Sequence, residues 1–307
     1  MPNASLPDRV DPMKAVLVDE PFSDPDWIFE RKLDGIRCIA IKDGRSVRLL
    51  SRNHLSLNGR FPEVAEALER DPAGQLVVDG EVVAFDGEQT SFARLQQRGE
   101  RPVPVFFYVF DLLHLEGEDV TALPLRERKA RLRDALELRD PIRFSPHRNG
   151  EGEAMFREAC ANGWEGVIAK RADSPYRHTH SRDWLKIKCS AEQELVIGGY
   201  TAPKGSRTDL GALLVGYYED GRLRYAGKVG TGFTRATLRD LAARLEPLRR
   251  QSSPFADEVR ERSATWVEPR LVGQVGFSEW TRDGRLRHPR FLGLRDDKAA
   301  AEVVREA

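Results

Sequence analysis

Apolar residues along this chain alternate with polar ones, or gather in short β-branched and aromatic runs, more often than they recur at helical spacing. Trp27 to Lys32 gives the first strong strand signal. Val47 to Leu50 predicts a short strand after a turn at Lys42-Asp43-Gly44-Arg45. The Asp-Gly pair suits a tight hairpin, which places Lys42 in an exposed turn. Phe61 to Arg70 predicts a helix with Phe61, Val64, Ala65 and Leu68 on one face. Gln75 to Phe85 reads as a strand broken by Gly80 and turned at Asp86-Gly87. Val103 to Leu113 is the most apolar run, short and aromatic, as a buried central strand would be. Helices are predicted over Pro124 to Leu138, with proline in the first turn, and over Glu151 to Asn162, ending at Gly163. Residues up to Glu20, including Lys14, read as an irregular lead-in interrupted by Pro2, Pro7 and Pro12.

Past Ser190 the texture changes. Leu195 to Tyr200, Gly211 to Tyr218 and Arg222 to Val229 are strand-like, a helix follows over Thr234 to Leu245, and strand signals return at Val267 to Val272 and Gly276 to Thr281. Short strands with one helix among them predict a small barrel. The expected domains are 1–190 and 191–307.

With 307 residues and 40% apolar content, the chain can bury one large core or two ordinary ones. Lysine plus arginine and aspartate plus glutamate number 49 each, so bulk charge lends no support to nucleic-acid binding. A DNA partner requires the basic residues to be gathered locally. Cys38, Cys160 and Cys189 form no close pair, so neither a disulfide framework nor a thiolate metal site is expected, and a reducing cytoplasm fits. No histidine pair has metal-ligand spacing. No apolar run is long enough to span a bilayer, and the first residues lack the pattern of a secretory signal.

The candidate chemistry begins at Lys32-Leu33-Asp34-Gly35-Ile36-Arg37. On a continuing strand Lys32 and Asp34 share a face, Gly35 permits a turn or a close backbone approach to a ligand, and Arg37 offers a planar fork for phosphate or ribose oxygens. Nucleophilic lysine must be deprotonated, a form favoured by nearby positive charge or a dry pocket. Alone, this segment reads more readily as a charged hairpin end. Four later segments change that: Val78 to Val83 with Asp79 and Glu81, Phe110-Asp111 at the end of the buried run, Glu165 to Lys170, and Trp184 to Lys188. In the last, Lys186 and Lys188 alternate with Leu185 and Ile187. One nucleophilic lysine, carboxylates for Mg²⁺ and lysines against phosphate account for the set.

In this order and spacing the segments resemble the signature motifs of the covalent nucleotidyltransferases, a superfamily of DNA ligases, RNA ligases and mRNA capping enzymes. The motifs are Lys32 to Arg37, Ser51-Arg52, Asp79 to Glu81 with Phe107 to Leu112, Glu165 to Lys170, Trp184 to Lys188, and Arg295 to Lys298. Within it, Phe29 to Lys32, Trp184 to Lys188, Gly227 to Phe233 and Arg287 to Lys298 are most similar to bacterial ATP-dependent DNA ligases of the end-joining type. The resemblance implies an α+β fold: an ATP-grasp-like adenylation domain with antiparallel sheets, followed by an OB-fold β-barrel. It implies that Lys32 takes AMP from ATP and passes it to the 5′-phosphate of nicked duplex DNA, where the 3′-hydroxyl displaces it. Catalysis would fall to Lys32, Asp34, Arg37, Glu81, Glu165, Lys186 and Lys188. Phe110 would stack on adenine, and Glu30, Arg37, Arg52, Glu81, Lys186 and Lys188 would line the nucleotide. Glu81 and Glu165 would hold Mg²⁺ or Mn²⁺. Arg295, Asp297 and Lys298 would orient pyrophosphate in the first step, with a hinge near 189–192 and basic segments at Ala202 to Arg207 and Arg244 to Arg250 along the DNA path. The implied setting is a cytoplasmic monomer with no membrane partner, working with an end-bridging protein and with polymerase or nuclease modules, fused or separate. An RNA or mixed-strand ligase, a GTP-dependent capping enzyme and a non-catalytic scaffold are the alternatives.

Overall fold

The chain divides into two compact units, Met1–Cys189 and Ser190–Ala307, in a computed structural model that describes residues 6–96, 98, 102–189, 191–203, 209–281 and 283–306. The first unit opens with β1 (Lys14–Leu17), β2 (Trp27–Lys32), β3 (Ile36–Asp43), β4 (Ser46–Ser51), α1 (Pro62–Arg70), β5 (Gln75–Val83), β6 (Phe85–Asp86), β7 (Gln89–Thr90) and α2 (Phe92–Gln96). It continues through β8 (Phe106–Leu115), β9 (Glu118–Asp119), α3 (Leu125–Ala135), β10 (Ile142–Phe144), β11 (His147–Asn149), α4 (Gly152–Ala161), β12 (Gly166–Arg171) and β13 (His180–Lys188).

Two large sheets and the small β6–β7 hairpin form this unit. One has the order β1-β13-β12-β2-β11, and the other β10-β8-β5-β3-β4 with β9 on β8. Strand alternation decides what each face does. Phe29, Val167, Ala169 and Leu185 pack the back of the first sheet against Met155 and Ala159 of α4. Ile36, Cys38, Ala40, Val78 and Val82 pack the back of the second against Val64 and Leu68 of α1. Between the sheets Ile39, Ile41, Val77, Phe110 and Leu113 meet Trp184 and Tyr176. The ring centroids of Phe110 and Trp184 lie 6.0 Å apart.

Several expectations are corrected. Lys14 lies in β1, an edge strand parallel to β13. All four residues of β1 are half-buried, so no alternation marks it in the sequence. Lys42 is buried, in β3, and its Nζ donates to Gly44 O at 2.5 Å across the hairpin. Gly80 does not break β5. It pairs with Cys38 and Val109, and a Cβ there would lie 2.4 Å from the Phe107 ring. Phe110 and Asp111 lie within β8 rather than at its end. Cys160 and Cys189 form a disulfide, with Cα atoms 5.2 Å apart. The end of α4 and the end of β13 meet in space, which a separation of 29 residues conceals.

The second unit comprises β14 (Ala191–Thr201), β15 (Leu213–Glu219), β16 (Arg222–Val229), α5 (Arg235–Leu245), β17 (Arg249–Arg250), β18 (Ala264–Val267), β19 (Val272–Phe277), β20 (Glu279–Trp280), β21 (Leu286–Arg287) and β22 (Arg290–Leu294). Residues 268–271, expected within a strand, separate β18 from β19. Along one edge β14 takes β19 and then β18, while β15 pairs with the other. Among the described residues the paired path is open rather than a closed ring. Thr234 caps α5 by accepting from Thr237 N at 3.1 Å. No helix of the described residues is long and apolar enough to cross a membrane.

Candidate active site

The ladder of the first sheet sets the central row. Lys32 pairs with Gly166, and Gly166 with Lys188. The next row on the same face is Glu30, Ile168 and Lys186, and the one after is Ile28, Lys170 and Trp184. Lys32, Lys186 and Lys188 therefore share one sheet face, with Leu185 and Ile187 turned to the other. Gly166 is required at the crossing: its φ is +152°, and a Cβ would sit 2.0 Å from Ile187 O.

The Lys32 amine forms an ion pair with Glu165 Oε1. Burial alone would push this amine down. The Glu165 carboxylate, with Asp34 and Glu81 behind it, outweighs burial and holds it above the ordinary lysine value. The Lys32 amine is thus held toward its protonated form, whereas the sequence pointed to surroundings that favour the neutral one. Asp34 braces the loop that follows, accepting from Phe92 N at 2.9 Å. The close approach at Gly35 is to the chain itself, since a Cβ would lie 2.3 Å from Val82 O.

Glu30 is buried beneath this face. Its oxygens accept from Lys129 Nζ at 2.6 Å, Lys170 Nζ at 2.9 Å and Ser145 Oγ at 3.2 Å. Burial raises its pKa, but the two ammonium groups reverse that and hold it below the usual carboxylate range. Lys170 shares one carboxylate with a second lysine, and burial moves it down to about 8. Its Nζ lies 4.1 Å from the ring centroids of both Phe110 and Trp184.

Arg37 grips Asp79 through two parallel hydrogen bonds of 2.5 Å and donates to Met13 O at 3.0 Å. Tyr176 OH donates to the same carboxylate at 2.6 Å. The guanidinium lies 4.7 Å from the Phe110 ring centroid. Glu81 pairs with Arg37 across the ladder. Deeper in, Arg128 holds Asp111 through bonds of 2.7 and 2.8 Å.

Arg52 is half-buried in the turn after β4, beside Ser51, whose Oγ accepts from Asn53 N and Leu55 N. In the second unit Arg295 binds Asp297 through two bonds of 2.9 Å, and Glu194 reaches Arg295 at 3.5 Å and Lys298 at 3.2 Å. The segment Gly227 to Phe233 docks on Arg287 to Phe291. Phe291 N donates to Thr231 O at 2.9 Å, and Phe233 stacks on Phe291 at 5.1 Å. Of the basic segment at 202–207, residues 204–207 lie outside the described residues, as does Ser190 of the expected hinge. In the other segment, Arg244 pairs with Asp296 and Arg249 with Glu246.

Lys129, Arg128 and Tyr176 are absent from the sequence-based site. The first two carry a readable signal. Leu125, Arg128, Lys129 and Leu132 occupy the inward stripe of α3, so two charges fall where helical spacing asks for apolar residues.

The family pattern described as ATP dependent DNA ligase domain matches residues 11–188, and that of the ATP dependent DNA ligase C terminal region matches 206–298. The multifunctional non-homologous end joining protein LigD of Pseudomonas aeruginosa is 44% identical over 98% of this chain and 37% of its own length. A probable DNA ligase of Dictyoglomus turgidum is 32% identical over 90% of this chain and 54% of its own. The chain thus spans about a third to a half of the length of these relatives. A solved mycobacterial DNA ligase D complexed with ATP and MES is 36% identical, covers 97% of this chain and 98% of that one, and superposes with a TM-score of 0.71. With the ATP dependent DNA ligase domain pattern matched across more than half of its length, the chain belongs to the ATP-dependent DNA ligase family.

Proposed function

We propose that this chain seals nicks in duplex DNA through a lysyl-AMP intermediate on Lys32. The observation that carries the reading is the fixed row of Lys32, Gly166 and Lys188, with Glu165 in ion contact with the nucleophile. The Lys32 amine, having lost its proton, attacks the α-phosphorus of ATP and expels pyrophosphate; the AMP then passes to the 5′-phosphate and leaves when the 3′-hydroxyl attacks. Splitting the ligation this way replaces one difficult displacement by easier ones. Lys32 acts only after it releases Glu165 and gives up a proton. Lys186 and Lys188 present positive charge on the same face, where phosphate oxygens gain negative charge. Phe110 would stack on adenine; its ring is largely buried, with the Arg37 guanidinium and the Lys170 amine close to it.

Magnesium at nucleotide sites takes one or two carboxylates, with water and phosphate oxygens completing its shell. Glu165 and Glu81, both acting on Lys32, fit that donor set. Among the described residues no group of three acidic, histidine or cysteine side chains forms a full protein cage. Mg²⁺ or Mn²⁺ held there would neutralise charge on the reacting phosphate. The end-joining relatives make broken DNA ends the natural substrate, with an end-bridging protein and polymerase or nuclease modules as partners.

Labelled ATP tests the reading. The chain should acquire one AMP, lose it to pyrophosphate and transfer it to a nicked duplex. Lys32→Ala should form no adduct yet seal a pre-adenylated nick in part. A labelled adduct on Lys32→Ala, or none on the unaltered chain, overturns the assignment.

A further inference from the structure

We infer that the β6–β7 hairpin is a clamp that positions Lys32 against Glu165, with Thr90 and Gln89 as its positioning residues. This rests on the reading of Lys32 as the nucleophile. Lys32 is the last residue of β2, and Glu165 lies one residue before β12. The ladder therefore holds each on one side only, and two loops, 33–35 and 162–165, leave from them. The 162–165 loop is held from one side by Cys189 N donating to Glu165 O at 3.0 Å and Trp164 N donating to Ala159 O at 2.8 Å; what relates the two loops to each other lies outside the ladder.

The hairpin touches both. Thr90 Oγ1 accepts from Asp34 N at 3.1 Å, and the next turn returns the bond, Phe92 N donating to Asp34 Oδ2 at 2.9 Å. Gln89 Nε2 donates to Asn162 O at 3.3 Å on the other loop. Arg31, on the opposite sheet face from Lys32, closes the tie. Its Nη2 donates to Glu88 O at 3.1 Å, and its guanidinium lies 4.4 Å from the ring centroid of Trp164, the neighbour of Glu165. Arg31, Asp34 and Asn162, all near the ion pair, are thus tied to one small hairpin, and Trp164 meets it through Arg31. Neither Thr90 nor Gln89 belongs to a signature segment. The hairpin acts through Lys32 and Glu165 and needs no contact with the nucleotide.

The test is single-turnover formation of the lysyl-AMP adduct over a range of ATP concentrations, with a urea unfolding curve for each variant. Thr90→Ala should slow adduct formation at saturating ATP about tenfold, as a small misplacement of the nucleophile does. Half-saturation by ATP and the unfolding midpoint should hold, and Thr90→Ser, which keeps the acceptor oxygen, should restore the rate. Gln89→Ala should repeat the split more weakly, and it carries the test if Thr90→Ala does not fold. An unchanged rate in both variants, a loss that appears only in ATP half-saturation, or a Thr90→Ser variant as slow as Thr90→Ala overturns the clamp. If the unaltered chain forms no adduct, it is the assignment of Lys32 that fails, so the two failures are distinct.

Discussion

Lys32 Nζ and Glu165 Oε1 are in direct ion contact, with 17% and 10% of their side chains exposed. The pair favours the protonated amine, the form that cannot attack phosphorus if Lys32 is the nucleophile proposed above. Adduct formation should rise as pH moves from neutral to alkaline. In Glu165→Gln the rising limb should move to lower pH, because the main influence holding the amine up is gone. The plateau should also fall with the loss of a carboxylate. A limb that stays in place removes Glu165 from control of the amine. The sign for stability follows from the raised pKa. The pair's contribution is complete below the unfolded lysine value of 10.5 and is lost as pH climbs through the higher folded value.

Glu30→Gln leaves Lys129 and Lys170 buried without their shared carboxylate. Breaking a buried ion pair from one side costs about 3–5 kcal/mol, and urea unfolding should show a loss of that order. Adding Lys170→Met should recover part of it, since the second change removes a stranded charge. Additive losses in the double variant would show that the three groups do not act as a unit.

His147 pairs with Glu30 across the ladder. Burial first, then Lys129, pushes its imidazole down to about 4 from 6.5. A depressed histidine protonates first in the unfolded chain, so stability should drop as pH falls from 6.5 toward about 4. His147→Gln should flatten that slope in denaturation curves. An unaltered slope would assign the acid sensitivity to carboxylates elsewhere.

Gly166→Ala should separate β12 from β13, because the new methyl would meet Ile187 O. Strain of this kind costs about 1–3 kcal/mol. The variant should lose adduct formation well before it loses the fold, since Glu165 and the Lys188 row meet at this residue. Normal adduct yield would show that the crossing tolerates a wider spacing.

The parts of the site that strands alone produce were legible. Lys32, Glu165, Lys186 and Lys188 lie in or beside short alternating runs, and alternation predicts which side chains share a face. The supporting shell was less so. Lys129 reaches Glu30 across 99 residues, and Tyr176 reaches Met13 across 163. No local pattern encodes such pairings. Arg37 shows the other difficulty. A fork suited to phosphate is spent on Asp79, a carboxylate the sequence placed among the motifs without a partner. Lys42 and Lys14 were misplaced for opposite reasons, one folded back by its own hairpin and the other in a strand without alternation.

The Cys160–Cys189 bond encloses Glu165, Lys186 and Lys188 in a single covalent macrocycle. Even if α4 or β13 melts, these three stay captive within one loop of chain, and the search for their mutual arrangement begins from a shortened list. A reducing medium opens the ring and lengthens that list. How readily the lysine-bearing face of the sheet reassembles is therefore set by the oxidation state around the molecule as well as by its packing.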